Sequence, residues 1–486
     1  MFEILHLVRS WRNTAAPINR IPPEVLTLIP NFWDRRIRDQ NLITITHVCR
    51  AWREGFTSQR SLWTDLDCVG LEKTRTYLER SKTSPINVSI YRHTNSYMCS
   101  FSRDPFIQIA THVIERLNSL TIEGSQWNLK GIIAHLGRPA PLLEYLSIVG
   151  SYGGGPEHNP MLARSDFGGD LSSLRRLCLE YVNTELPWRN MVNLTSFRLV
   201  RTLPLTVGQI LDFLESAPHL RKVEIHSKIQ TSGTQNGRLV SLARLKRMVI
   251  TGGESSPLLD HMLIPAGARL AAWVELPDDP IEGHPPRFFN NLKNFPGFTT
   301  INLYGSGMDS DGGMQFSGPN GEVTITPTIT QADETSFLLE SLTQFDTSKT
   351  ERLKIYCINS LPGDPPRQAL LPMKDLRTLT LYDYANTHDV IRALDPSACS
   401  SGVVVCPKLE ELVISQYGEP LDTQDVIEMA AARASRGVKL KSVWIDTPFE
   451  SVQTDALELK RHVLHVKCGP EVDGPSGDGG GNYEED

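Results

Sequence analysis

Leu174-Arg175-Arg176-Leu177-Cys178-Leu179, Leu194-Thr195-Ser196-Phe197-Arg198-Leu199, Leu220-Arg221-Lys222-Val223-Glu224-Ile225 and Leu245-Lys246-Arg247-Met248-Val249-Ile250 are four versions of one pattern, apolar-x-x-apolar-x-apolar. The last two apolar positions alternate with polar ones, as in a short strand with one buried face. Earlier copies are Leu117/Leu120/Ile122 and Leu143/Leu146/Ile148. Later ones are Phe298/Ile301/Leu303, Leu376/Leu379/Leu381, Leu409/Leu412/Ile414 and Leu440/Val443/Ile445. Leu270-Ala271-Ala272-Trp273-Val274 and Leu353-Lys354-Ile355-Tyr356 are degenerate copies. First positions 174, 194, 220, 245, 270 and 298 are spaced by 20, 26, 25, 25 and 28 residues, and the later steps 376 to 409 and 409 to 440 by 33 and 31.

Helical patterns lie between the strands, at Val207 to Ser216, Asp333 to Phe345 and Thr423 to Ala434. No unit of this size buries its own apolar face, so neighbours must stack. The expected fold is α/β, a solenoid with parallel strands on one face and helices on the other. Two places break the pattern. Ser151 to Gly169 is rich in Gly and Pro and reads as a loop. Residues 309–327 read as a hairpin insert, with Asn320-Gly321 suited to a type I′ turn. The Gly-rich acidic tail, residues 469–486, has no periodicity and reads as disordered.

Ahead of the repeats stands a different block, Arg20-Ile21-Pro22-Pro23-Glu24-Val25-Leu26, then Ile29, Leu42, His47-Val48-Cys49-Arg50-Ala51-Trp52-Arg53 and Leu62-Trp63. Pro22-Pro23 followed by Glu24 suits a helix start, since Pro lacks only an orphan N–H there and the acid faces the positive helix end. Val25, Leu26 and Ile29 form one apolar stripe. Ile45, Val48, Cys49 and Trp52 form a second at i, i+3, i+4, i+7. About 45 residues of short helices bury too little surface to stand alone and need a partner. The expected organisation is an N-terminal segment (1–19), this helical block (20–68), a linker with a first degenerate repeat (69–116), the repeats (117–468) and the tail.

Composition narrows the function. The 486 residues are 40% hydrophobic and 22% charged, with net charge −7, so the whole chain has no bias toward nucleic acid. No run approaches the roughly 20 apolar residues of a membrane span, and the start carries Glu3 and no basic n-region, unlike a signal peptide. The eight cysteines include no Cys-x-x-Cys pair and suit a reducing compartment, cytoplasm or nucleus. Asp309-x-Asp311 lacks the remaining positions of a calcium loop. No phosphate loop, nucleophile elbow or His-Glu-x-x-His is present, so nothing points to an enzyme, a metal or a cofactor.

Ile21-Pro22-Pro23-Glu24-Val25-Leu26, Val48-Cys49-Arg50-Ala51-Trp52-Arg53 and Leu62-Trp63, in that order, resemble an F-box; Asn41-Leu42 stands where that family has Asp-Leu. The repeat period resembles that of leucine-rich repeats, about 20–29 residues. F-box first and repeats after is the order of the leucine-rich F-box proteins, abundant in mushroom-forming fungi. The resemblance implies a substrate-recognition subunit of an SCF (Skp–cullin–F-box) ubiquitin ligase, with no covalent chemistry of its own. Pro22, Val25, Leu26, Ile29, Leu42, Val48, Cys49 and Trp52 would form or support the Skp-facing surface; Trp52 above all could instead hold the helices to the first repeat. Through the Skp adaptor the chain would join a cullin, and its repeats would bind a client protein. The alternative is a leucine-rich-repeat scaffold or receptor without ligase function.

Residues between the inward strand positions point to the open sheet face. Arg176, Arg198, Lys222 and Arg247 fall in successive units and are expected to line one cationic stripe for an acidic or phosphorylated client. The other reading is that they are solvated or paired with Glu180 and Glu224. Trp444, on a later strand, is either a client contact or packed under the C-terminal residues.

Overall fold

The computed structural model describes residues 4, 8, 11–12, 15–33, 35–67, 71–92, 113–185, 191–230, 238–253, 256–265, 267–275, 298–304, 313–319, 321–328, 338–339, 341–343, 345–356, 365–383, 387–398, 403–416, 422–446 and 452–469. The tail and Asp309–Asp311 lie outside them. The chain divides into two compact units, Met1–Leu203 and Pro204–Asp486. Both are α/β and are built on extensive, mostly parallel sheets.

In the first unit the strands are β1 (Asp65–Leu66), β2 (Ile86–Arg92), β3 (Leu117–Gly124), β4 (Tyr145–Gly150), β5 (Met161–Leu162), β6 (Arg176–Glu180), β7 (Asn183–Thr184) and β8 (Ser196–Val200). β1, β2, β3, β4, β6 and β8 pair in that order, all parallel, while β5 and β7 form a small parallel pair of their own. The register aligns the repeated apolar positions. Val88, Leu120, Leu146, Leu177 and Phe197 make one row, and Ile90, Ile122, Ile148, Leu179 and Leu199 the next, all buried. Each such side chain contributes about 1.5–3 kcal/mol on burial.

In the second unit the strands are β9 (Leu205–Thr206), β10 (Lys222–Gln230), β11 (Val240–Ser241), β12 (Arg247–Gly253), β13 (Met262–Leu263), β14 (Arg269–Glu275), β15 (Thr300–Tyr304), β16 (Gly313–Gly318), β17 (Gly321–Thr328), β18 (Arg352–Tyr356), β19 (Thr378–Asp383), β20 (Glu411–Gln416), β21 (Ser442–Asp446) and β22 (His465–Cys468). β9, β10, β12, β14 and β17 run parallel, and so do β15, β18, β19, β20, β21 and β22. β16 and β17 are an antiparallel pair whose last register partners are Gly318 and Gly321, so Gly321 is a strand residue; Asn320 lies outside the described residues. The pair is not an appendage: β17 pairs with β14, β16 pairs with β15, and the two occupy the place between them. Gly321 is required there. Its φ is +132°, and a Cβ would stand 2.6 Å from the Ala268 carbonyl oxygen.

Two hydrogen-bond features recur in both units. The first apolar residue of a copy donates to the carbonyl three residues back, as in Leu143 to Ala140, Leu174 to Leu171, Leu194 to Met191, Leu245 to Leu242, Leu376 to Met373 and Leu409 to Cys406. Then two successive N–H groups donate to one carbonyl of the preceding copy: Arg175 and Arg176 to Glu144, Thr195 and Ser196 to Arg175, Lys246 and Arg247 to Arg221, Glu351 and Arg352 to Thr299, Arg377 and Thr378 to Glu351, Glu410 and Glu411 to Arg377, Lys441 and Ser442 to Glu410.

The helices sit where the spacing predicts. Val207–Ser216 is closed by a capping box between Thr206 and Gln209 and buries Val207, Ile210, Leu211, Phe213 and Leu214. Thr423–Ser435 is capped by Asp422. Of the third expected helix, Leu338, Leu339, Ser341 and Leu342 are described, helical and buried. Arg433, in the second of these helices, is 0% exposed and has no carboxylate partner among the described residues. Its guanidinium donates to the carbonyls of Val405 (2.8 Å), Cys406 (2.8 Å) and Leu394 (3.4 Å), so backbone dipoles replace its hydration.

Candidate functional site

The helical block comprises Pro23–Leu26, Arg35–Thr46 and Arg50–Ser58, with short 3₁₀ turns at Ile29–Phe32 and Arg60–Trp63. Two expectations change. The Ile45–Trp52 stripe is not one helix: the chain leaves helical geometry after Thr46, and Cys49 (φ −156°, ψ 173°) stands ahead of the next helix. The charged stretch from Asn31 to Gln40, whose lack of an apolar stripe suggests a connection between the first two helices, is helical from Arg35 onward.

The structure divides the predicted adaptor residues. Leu26, Leu42, Ile45, Phe56, Leu62 and Trp63 are buried and make the block's core. Trp63 is fully enclosed. Its N–H donates to the Phe56 carbonyl at 2.9 Å, its ring meets Tyr77 edge-on at 4.9 Å, and the Arg80 guanidinium covers it at 4.1 Å. Tyr77 and Arg80 lie on the helix Leu71–Ser81. Burial in this apolar contact holds the Arg80 pKa below its ordinary value. Asp65 then enters β1 and accepts from Asn87 Nδ2 at 2.7 Å, so the block is joined to the strands through Trp63 and β1.

Val25 and Val48 face outward, 51% and 55% exposed, and Pro22 is exposed. Ile29, Cys49 and Trp52 are half-buried, Trp52 packing on the Phe56 ring at 5.9 Å. Leu28, Phe32 and Ile43, not singled out from sequence, are also exposed, Phe32 at 86%. Scattered exposed apolar residues are ordinary on a surface; five large ones between residues 25 and 48 are a concentration.

The four cations do not form one row. In the first unit the register sets Arg176 opposite Ser196 and Arg198 opposite Cys178. Arg198 reaches Glu180 at 3.8 Å. Arg176 is exposed and makes no ion pair among the described residues. In the second unit Lys222 stands opposite Arg247, and both reach the buried carboxylate of Glu224, at 3.2 and 4.0 Å. Trp444 is half-buried; its N–H donates to the Gly469 carbonyl at 3.2 Å, and Lys467 lies over its ring at 5.4 Å.

One feature of the second unit's open face went unforeseen. Tyr304, Tyr356 and Tyr382 occupy matching register positions on β15, β18 and β19. Their rings stack in a ladder, with centroids 4.9 and 4.5 Å apart and planes 13° and 4° from parallel. Burial, with the neighbouring phenols, pushes the Tyr356 hydroxyl up to about 12. Burial likewise raises Tyr304, whose hydroxyl donates to Gln315 Oε1 at 3.1 Å. The residue directly after the second inward position, one beyond Leu303, Ile355 and Leu381, is a tyrosine in each of these copies, and that repetition is the signal in the sequence.

Among the described residues no group of three or more His, Cys, Asp or Glu is placed to hold a metal, and no helix is long and apolar enough to cross a membrane. No family model matches the chain, and no curated protein matches it.

Proposed function

We propose that the chain is the substrate-recognition subunit of an SCF-type ubiquitin ligase, with residues 20–68 an F-box that binds a Skp adaptor and the later strands a leucine-rich-repeat solenoid that binds a client. The observation that carries this reading is the concentration of exposed apolar side chains on the helical block. Its core is packed through Leu26, Leu42, Phe56 and Trp63, while Val25, Leu28, Phe32, Ile43 and Val48 are left to solvent. Apolar side chains concentrated on so small a block are stabilised by a partner that covers them. The aligned strand registers and the recurring paired amides support the repeat reading.

The subunit would act by raising the client's effective concentration beside a ubiquitin-loaded enzyme held elsewhere in the complex. Each unit would offer its own open strand face to a client, the first through Arg176 and the second through the tyrosine ladder. The test is capture of the full chain by a purified Skp adaptor, alone and with cullin. Point variants at the exposed residues serve better than deletion of residues 1–68, which would strip Trp63 and β1 from Tyr77 and β2. Capture lost in the variants supports the ligase subunit. A chain that is never captured is a repeat scaffold acting through its strand face alone.

A further inference from the structure

At the C-terminal ends of three neighbouring strands in the first unit, Tyr152 follows β4, Tyr181 follows β6 and Arg201 follows β8. Tyr181 and Arg201 both have left-handed backbone, φ 53° and 50°, a conformation that costs any residue with a Cβ. A buried amide network imposes it. Asn159 donates to the Arg201 carbonyl at 2.8 Å and accepts from Gln126 at 3.1 Å. Asn183 donates to the Pro156 carbonyl and accepts from the Leu203 N–H, both at 2.8 Å. Asn159 and Asn183 are 5% and 3% exposed. Gly150 lets the turn close, since a Cβ there would stand 3.1 Å from both the Cβ and the carbonyl oxygen of Tyr181.

The result is a held cation. The Arg201 guanidinium lies 5.5 Å from the Tyr181 ring centroid and 5.7 Å from that of Tyr152, and the two rings meet edge to face at 6.0 Å. Nη1 donates to the Tyr181 hydroxyl at 2.9 Å. Arg201 is exposed, and among the described residues neither its Nε nor its Nη2 has a protein partner, whereas Arg198, Lys222 and Arg247 are each tied to a carboxylate. A guanidinium fixed on one edge and open on the other presents a fork matched to two oxygens of one anion.

We propose that Tyr152, Tyr181 and Arg201 form a binding site for a two-oxygen anion, carboxylate or phosphate, carried on a client polypeptide. It rests on the client-binding reading above and names the chemistry the first unit selects. Tyr181 and the amide network are positioning groups; Arg201 contacts the anion, and the exposed Tyr152 ring closes one side.

The test is fluorescence anisotropy of the full chain with three labelled Gly/Ser peptides, one carrying a central acidic pair, one a phosphoserine and one the matching amides. The expected result is binding of an acidic or phosphorylated peptide that weakens with salt, the preferred arm naming the anion's source. Arg201→Asn, chosen because Asn tolerates positive φ, should lower that affinity about tenfold or more with an unchanged melting profile. Tyr152→Ala should weaken it less, with no change in fold. Equal binding of the amide peptide, no binding of either anionic peptide, or undiminished binding by Arg201→Asn would overturn the proposal. Adaptor capture is measured on the same preparations. Retained capture with failed peptide binding sinks this inference alone, and lost capture with intact peptide binding sinks the ligase reading alone.

Discussion

The indole N–H of Trp63 donates to the backbone carbonyl of Phe56, 2.9 Å away, at the point where the helical block meets the helix that carries Tyr77. Replacing Trp63 with Ala removes a fully buried ring and leaves that carbonyl unpaired. The expected cost is about 3–5 kcal/mol. It should be read as faster amide hydrogen exchange confined to residues 50–81, with the later strands unaffected.

The exposed residues of the block separate binding from folding. Val25→Asp with Val48→Asp should abolish adaptor capture at unchanged melting temperature, because both residues already face water. Leu26→Asp is the contrasting variant. At 7% exposure it buries a carboxylate and should unfold the block, so its loss of capture carries no information about contact. Melting profiles run beside the pull-down check both statements.

Charge reversal should divide the cations. Arg176→Glu, exposed and outside any ion pair among the described residues, should weaken binding of an acidic client with no loss of stability. Lys222→Glu with Arg247→Glu should destabilise the second unit by about 3 kcal/mol, because the buried Glu224 carboxylate would face two others. Urea unfolding followed by tryptophan fluorescence reads the difference.

Arg433→Met should cost about 3 kcal/mol. It leaves the Val405 carbonyl without its guanidinium donor and the Cys406 carbonyl with the Leu409 N–H alone, in a closed interior. Thermal unfolding of the variant against the parent tests it. The Cys406 thiol, pushed up to about 12 by burial, should stay unreactive to alkylation in the parent and become accessible in the variant.

Alkaline titration should show a late phenol. Tyr356 folds with its hydroxyl raised to about 12, above the roughly 10 of an unfolded tyrosine. Folding therefore favours the protonated form, and the stability this supplies is whole below pH about 10 and lost as pH rises toward about 12. Tyr356→Phe should remove a late-titrating tyrosinate from the absorbance curve and flatten the alkaline loss of stability.

The strands were legible because period-two alternation behind a leading Leu has one physical reading, and Leu177/Leu179 and Leu412/Ile414 stand where that reading puts them. The degenerate Leu353-Lys354-Ile355-Tyr356 proved a full strand, since burial of Leu353 and Ile355 decides the pairing and the missing first position does not. A second signal went unread: the buried residue three before each leading Leu, such as Leu171, Met191, Leu242, Met373 and Cys406, whose carbonyl closes the turn. What the sequence left open was partnership across distance. Composition does not say that Arg198 finds Glu180, that Lys222 and Arg247 share Glu224, or that three tyrosines on separate strands stack. The apolar stripe through Ile45 and Trp52 misled because spacing alone does not register the break at Cys49.

The hairpin seated between β14 and β15 bears on how the second unit assembles. A parallel strand pair closes only across a long crossover, so its entropic cost falls before its contacts form, and parallel sheets fold slowly. β16 and β17 are joined through Gly318 and Gly321, a separation short enough to zip within microseconds. Once zipped, they present β14 with a strand already in register on one edge and β15 with one on the other. The pair is thus suited to nucleate growth in two directions, and a side chain at Gly321 would register first as a slower refolding rate.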